Sequence, residues 1–178
     1  SPSSAAMSFI VVGWCAPSDV TLATASNSPP ADAAAEGKML DYFRLVAGSE
    51  GKKGGSIEIL DRRIDTLRRA NGVIWFDFKT LCGGPRSQND YLEIARGHHT
   101  VLLSGIPLMS ARDASEARRF TWLVDVFYDH KVKFIATAAV AADQLYTEGT
   151  QASEFARTVS RLTEMNSKEY LAQQHNIG

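Results

Sequence analysis

Two arginines near the end of the chain have the residue type and spacing to bind a phosphate. Arg157 and Arg161 stand four residues apart in a segment whose apolar residues, Phe155 among them, recur with helical spacing. A helix there places both guanidinium groups on one face, away from its own apolar stripe. Guanidinium groups bind phosphate and carboxylate oxygens through paired hydrogen bonds. The spacing therefore fits either surface ion pairs with Glu154 and Glu164 or a paired-arginine site that reaches a phosphate or a neighbouring subunit.

A third candidate arginine, Arg119, belongs to the preceding helical segment and follows Arg118 directly. On that segment Arg118, Trp122 and Asp125 recur at helical spacing, so a helix would present them along one side. We therefore consider Arg119 together with Arg157 and Arg161.

A glycine-rich stretch at residues 48–56, GSEGKKGGS, invites comparison with a phosphate-binding loop. The Walker A motif, GxxxxGK[ST], requires a lysine followed by Ser or Thr where a helix begins. No such string occurs in the 178 residues. The stretch is predicted to be a solvated loop.

Other residues that could perform chemistry favour structural roles. Asp77 lies in an apolar run and could bind Mg²⁺ as a Walker B carboxylate does, but Phe78 and Lys79 follow it where a second acid is expected. A carboxylate that pairs with a base or caps a turn is the favoured interpretation. His98 and His99 are adjacent, so on a strand they would face opposite ways and could not easily share a metal. They are predicted to lie in a loop or an interface.

The composition is that of one globular domain with a sizeable core. Of its residues 44% are hydrophobic and 22% charged, and the net charge is −1, which argues against disorder and against a dedicated duplex-DNA binder. Cys15 and Cys82 form no disulfide framework and no metal motif, so they are predicted to be small buried thiols. The apolar run at 7–16 is too short to span a bilayer.

The order of apolar runs and amphipathic segments predicts the elements that position these residues. Strands at 73–78, 100–103 and 132–137 alternate with helices at 87–96, 113–130 and 153–174. This alternation predicts an α/β fold with a mainly parallel sheet and flanking helices, two of which, from Asp113 and Ser153, pack against it. Upstream, the sequence predicts strands at 8–13, 20–24 and 57–60, a break at 27–30, a helix at 32–47 and a solvated hairpin at 61–69.

Three long blocks of the sequence resemble one family. They are WFDFKTLCGGPRSQNDYLEIARGHHTVLLSGIPLM at 75–109, EARRFTWLVDVFYDHKVKFIATAA at 116–139 and EFARTVSRLTEMNSKEYL at 154–171. In order and spacing they resemble the carboxy-terminal half of the ZapE-type, AFG-one-like P-loop ATPases. The resemblance covers the chain from about residue 20. It implies one carboxy-terminal α/β domain at 20–178, with P-loop-type layering but no P-loop, after an unmatched lead-in at 1–19.

The resemblance also implies a function. ATP and Mg²⁺ would be bound by the amino-terminal nucleotide-binding half of the whole ATPase and not by this chain alone. The expected partners are that half, further copies of the protein and a cell-division protein, but no nucleic acid. The expected location is the cytoplasm, including the periphery of the inner membrane. Arg157, Arg161 and Arg119 are the candidates for contributing to ATP hydrolysis in the whole protein.

Two alternatives remain open at this point. The chain could be a non-catalytic module that docks a division protein or a membrane-associated partner. It could also be a small enzyme in its own right, although no set of nucleophile, base and orienting group can be assembled from the sequence.

Overall fold

A mixed β-sheet forms the centre of the fold in the computed structural model. The structure describes residues 8–12, 31–138, 144–149 and 152–165. Within these residues six strands form one sheet in the order β1-β8-β7-β6-β5-β2, and β3 and β4 form a separate hairpin. The strands are β1 (Ser8–Val12), β2 (Lys52–Lys53), β3 (Ser56–Ile59), β4 (Arg62–Asp65), β5 (Arg68–Ala70), β6 (Val73–Asp77), β7 (Thr100–Ile106) and β8 (Lys133–Ala138).

The three central strands are parallel, as the sequence predicted. Val73 of β6 lies opposite Thr100 of β7, which in turn lies opposite Lys133 of β8. Strands β1, β5 and β2 run antiparallel to their neighbours toward the two edges. The central strands read as nearly continuous apolar runs because helices cover both faces of the sheet, and so both faces must be apolar.

Helices form a layer on each side of the sheet. Side chains alternate along β6, so Val73 and Trp75 face α1 while Ile74 and Phe76 face the other helices. The result is a three-layer α/β fold. The helices are α1 (Ala31–Ala47), α2 (Phe78–Cys82), α3 (Gln88–Gly97), α4 (Ala114–Asp129) and α5 (Ala152–Met165), and a short 3-10 helix (Ala111–Asp113) precedes α4.

An aromatic cluster joins α4 to the sheet and to α5. The ring of Phe120, on α4, lies 6.4 Å from Phe134 of β8 and 6.0 Å from Phe155 of α5, measured between centroids. The expected packing of α4 on the sheet is therefore confirmed. α5 joins the same core mainly through α4, because Phe155 stacks on Phe120.

Between residues 48 and 70 the sequence predicted one loop, one strand and one hairpin, and the structure differs. Part of the predicted loop forms the edge strand β2, and β4 and β5 belong to different sheets. Two tight turns cause the division. Leu60 and Asp61 connect β3 to β4, and Asn71 and Gly72 connect β5 to β6, all four with positive φ. Two-residue turns of this kind match the twist of antiparallel strands.

Three predicted features lie outside the described residues: the strand at 20–24, the break at 27–30 and the end of the last helix at 166–174. No helix in the described part of the chain is both long enough and apolar enough to cross a bilayer.

Candidate functional site

The junction between β6 and α2 shows the role of Asp77. Asp77 ends the strand, one residue earlier than predicted, and its Oδ2 accepts a hydrogen bond from the backbone N–H of Lys79 at 3.1 Å. This bond satisfies one of the free donors at the start of α2. Asp77 thus caps a turn, as the structural interpretation predicted.

Asp90 organises the loop that follows α2. This fully buried carboxylate lies in the first turn of α3, where its Oδ2 accepts a hydrogen bond from the backbone N–H of Ser87 at 2.8 Å. The same oxygen lies 3.4 Å from Nη1 of Arg62, which comes from the separate hairpin. Oδ1 of Asp90 has no hydrogen-bond partner in the described part of the chain. Asp90 therefore ties the hairpin to the start of α3.

A cavity of about 360 Å³ opens beside this loop and contains four arginines, out of 19 basic residues in the chain. We call it the arginine pocket. It lies between the hairpin, the loop before α3 and the first half of α4. Its lining residues are Arg62, Pro85, Arg86, Ser87, Ser115, Arg118, Arg119 and Trp122.

Backbone carbonyl groups hold three of the four arginines in place. Arg62 donates to the carbonyl of Pro85 at 3.0 Å. Arg86 donates to Thr80 O at 3.1 Å, and Arg119 donates to Cys82 O at 2.9 Å. A carbonyl fixes the orientation of a guanidinium group but does not neutralise its charge. Of these four only Arg119 was a candidate from the sequence, because the four arginines come from three separated segments.

Arg161 is packed more closely than predicted. It forms an ion pair with Asp125 of α4, and its guanidinium lies 5.3 Å from the ring centroid of Tyr128. Its side chain is only 21% exposed. The expected partner Glu164 instead hydrogen-bonds to the hydroxyl of Tyr128, which raises the pKa of that hydroxyl. The sequence predicted that Arg161 points away from the apolar stripe of its own helix, and it is packed all the same because the Asp125 and Tyr128 side chains of α4 contact it there.

Arg157 is exposed and forms no ion pair within the part of the chain that the structure describes. The structure therefore separates the three candidate arginines. Arg119 lines the arginine pocket, Arg161 is held against α4, and Arg157 faces solvent. No described contact joins them.

The two histidines occupy the connection into β7, as predicted. His98 hydrogen-bonds through Nδ1 to Ile94 O at 3.0 Å, whereas His99 bonds to Thr100 Oγ1 and to Asn71 O. No group of side chains able to hold a metal ion occurs among the described residues.

Cys82 is a buried thiol, as predicted, whereas Cys15 lies outside the described residues. Burial raises the pKa of the Cys82 thiol from 9.0 to about 12. Its Sγ lies 3.7 Å from the hydroxyl of Tyr91. Because the thiolate is the reactive form, this cysteine is a poor nucleophile.

The raised pKa of Cys82 predicts a loss of stability at high pH. In the unfolded chain the thiol ionises near its ordinary pKa, whereas in the folded chain it stays protonated to a higher pH. Its contribution to stability is therefore complete below pH 9 and is lost as the pH rises toward about 12. At a pH of about 10.5 we expect a loss of roughly 2 kcal/mol. Urea unfolding followed by circular dichroism at neutral and alkaline pH measures it. Cys82→Ala is the control, and an equal decline in that variant would contradict the assignment.

Comparison with known proteins agrees with the resemblance. The sequence model of the family described as AFG1-like ATPase matches residues 15–174. The "Cell division protein ZapE" of Escherichia coli K12 is 40% identical over 141 residues, which are 79% of this chain and 38% of that protein. The "Lactation elevated protein 1 homolog B" of Danio rerio is 30% identical over 64% of this chain and 29% of its own length. No solved structure matches.

The chain thus spans well under half the length of these two relatives. The family model covers nearly all of it, including the hairpin, the arginine pocket and α5. The chain belongs to the AFG1-like ATPase family.

Proposed function

We propose that this chain acts as the carboxy-terminal α/β domain of an ATP-hydrolysing protein that takes part in bacterial cell division. In this proposal the domain supports assembly of the ATPase, or it couples nucleotide hydrolysis to the role of the ATPase in cell division. ATP and Mg²⁺ are bound by an amino-terminal nucleotide-binding half. That half, further copies of the protein and a division protein are the partners, and the location is the cytoplasm, including the periphery of the inner membrane. The 40% sequence identity to the E. coli division protein supports the cell-division role.

The connection from β6 to α2 is the main support for an accessory role, by which we mean that this domain does not itself bind the nucleotide. In a P-loop site, a glycine-rich loop joins a strand to a helix, and its backbone N–H groups surround the phosphates. Here β6 passes into α2 at Asp77 with no intervening loop, and the carboxylate of Asp77 occupies the start of the helix. A negative charge at this position disfavours a phosphate.

The glycine-rich stretch at 48–56 serves a different purpose. Its strand β2 pairs with β5 at the sheet edge, and Gly54 donates to the carbonyl of Leu67 at 2.8 Å. A Cβ atom added at Gly51 would lie 2.5 Å from the carbonyl oxygen of Arg69. Close approach to a neighbouring strand therefore accounts for this glycine without a phosphate.

The first test is calorimetry of the chain with Mg-ATP. We expect no binding tighter than about 1 mM, which corresponds to roughly −4 kcal/mol, because the described residues offer no phosphate loop. A longer protein of the same family that contains GxxxxGK[ST] is the positive control. Micromolar binding of Mg-ATP to the 178-residue chain would overturn the accessory role and favour the independent enzyme.

A further inference from the structure

The arginine pocket concentrates positive charge in one place. Four guanidinium groups line one cavity in a chain whose net charge is −1. Asp90 is a fully buried counter-charge that lies 3.4 Å from Arg62 and offsets one of them. Glu116 lines the cavity that contains Lys79, and like Arg86 and Arg119 it lies close enough to Cys82 to act on its thiol. The residues that line the pocket include four cationic side chains and no carboxylate, and like charges brought together cost free energy that a bound anion would lower.

The arginines are also oriented before any ligand arrives. Arg86 and Arg119 each donate one hydrogen bond to a backbone carbonyl, at 3.1 and 2.9 Å, and a guanidinium group has four further N–H donors. Nε of Arg86 is buried, and no described residue accepts a hydrogen bond from it. A buried donor without an acceptor is destabilising. An anion in the pocket could supply acceptors without first ordering these side chains, which lowers the cost of binding.

The remaining lining residues suit an organic group attached to the anion. Trp122 contributes a partly exposed aromatic surface, and Ser87 and Ser115 contribute hydroxyl groups. A cavity of about 360 Å³ is at the lower end of the range for small-molecule sites, which is roughly 300–1,000 Å³. It is large enough for one phosphoryl group and a single ring.

We propose that the arginine pocket binds a phosphomonoester, with the phosphoryl group held by the arginines and the organic part packed against Trp122. A phosphoryl group carries close to two negative charges and three acceptor oxygens at neutral pH, which matches converging guanidinium groups better than one carboxylate does. The site is separate from any phosphate loop and does not depend on the proposed function. Mg²⁺ neutralises part of the phosphate charge, so weak binding of Mg-ATP is compatible with it.

The proposal is tested by titrating the 178-residue chain with inorganic phosphate and with phenyl phosphate, without divalent metal and at fixed ionic strength. Calorimetry gives the affinity. Trp122 is one of three tryptophans in the chain, so the part of the fluorescence change that is lost in Trp122→Leu reports on it. We expect inorganic phosphate to bind at about the millimolar level. Phenyl phosphate should bind about 3–10-fold more tightly, because ring contacts contribute about 0.5–1.5 kcal/mol. Succinate, a dicarboxylate, should bind more weakly than either.

Variants on opposite sides of the pocket assign the site. The double variant Arg86→Gln/Arg118→Gln should weaken phosphate binding by about tenfold or more, because each charge-assisted hydrogen bond contributes about 1.5–3 kcal/mol. Trp122→Leu should leave inorganic phosphate unaffected and remove the preference for phenyl phosphate. Arg112→Gln is the matched control, since Arg112 is exposed and does not line the pocket. A thermal melt of each variant checks folding.

Each outcome supports or overturns the assignment. Equal binding of both phosphates in the wild type would remove the role of Trp122 and identify the ligand as free phosphate. Preference for succinate would replace the phosphoryl group by a carboxylate. Phosphate binding unchanged in a folded Arg86→Gln/Arg118→Gln variant, or no saturable binding at millimolar phosphate, would overturn the proposal.

Discussion

Phe120→Ala is expected to lower the free energy of unfolding by about 3–5 kcal/mol, the range for removing a phenylalanine from a packed core. Phe120 is fully buried on α4, where it connects the helices to the sheet. Its ring lies 6.2 Å from Phe78, 6.4 Å from Phe134 and 6.0 Å from Phe155. Since these contacts reach α2, β8 and α5, the cavity left by alanine would loosen several elements at once.

The size of this effect is large compared with the whole stability of a domain, which is typically about 5–15 kcal/mol. Urea denaturation followed by circular dichroism measures it. Leu108→Ala is the matched control, because Leu108 is 59% exposed and its truncation should change stability by no more than about 0.5 kcal/mol. A loss below about 1 kcal/mol for Phe120→Ala would show that Phe120 is not packed in the core.

The centre of the fold was predictable from sequence because its signals are local. The apolar runs that became β6, β7 and β8 are long enough to identify without a partner, and the amphipathic segments between them require parallel crossovers. Phe120 and Phe127 stand seven residues apart on α4 and are both fully buried, a spacing that is typical of the inward face of a helix. Each of these inferences depends on residues within one element.

The sheet edge was predicted less well because its strands are short and polar. β2 consists of two lysines, and β5 consists of two arginines and one alanine. Pairing across the sheet, and not their own composition, makes them strands. The Asn71–Gly72 turn was a usable signal, since Asn-Gly between two strands is typical of a tight hairpin. That pair marks the β5–β6 turn, which the prediction of a single solvated hairpin at 61–69 did not include.

The candidate sites show the same division between local and tertiary information. Helical spacing predicted α5 and its buried Phe155, but it could not reveal that Asp125 and Tyr128 of another helix would hold Arg161. The arginine pocket combines residues 62, 85–87 and 115–122, which are brought together only by folding. A helical projection of one segment contains no information on such contacts.

In the proposed ATPase that carries this domain, Arg157→Ala is expected to lower the rate of ATP hydrolysis by about 10³, the lower end of the range for an arginine that stabilises a transferring phosphoryl group. The structure distinguishes Arg157 from the other two candidates. Arg161 is held by Asp125 and Tyr128, and Arg119 is anchored to the carbonyl of Cys82. Arg157 is exposed and has no ion pair among the described residues, so its guanidinium can reach a phosphate bound by a neighbouring half or subunit without breaking an existing contact.

The matched control is Arg161→Ala in the same helix. Arg161 and Asp125 are both mostly buried, so this change should lower the free energy of unfolding by about 1–3 kcal/mol while hydrolysis by the folded fraction stays near that of the wild type. Arg157→Ala should have the opposite pattern, with an unchanged melting temperature and a large loss of rate.

Arg157→Lys should recover little, since lysine keeps the charge but lacks the planar pair of donors. If hydrolysis in Arg157→Ala stays within about threefold of wild type, which is less than roughly 1 kcal/mol, Arg157 does not act on the phosphate. A docking role for the domain, without a catalytic arginine, would then be favoured.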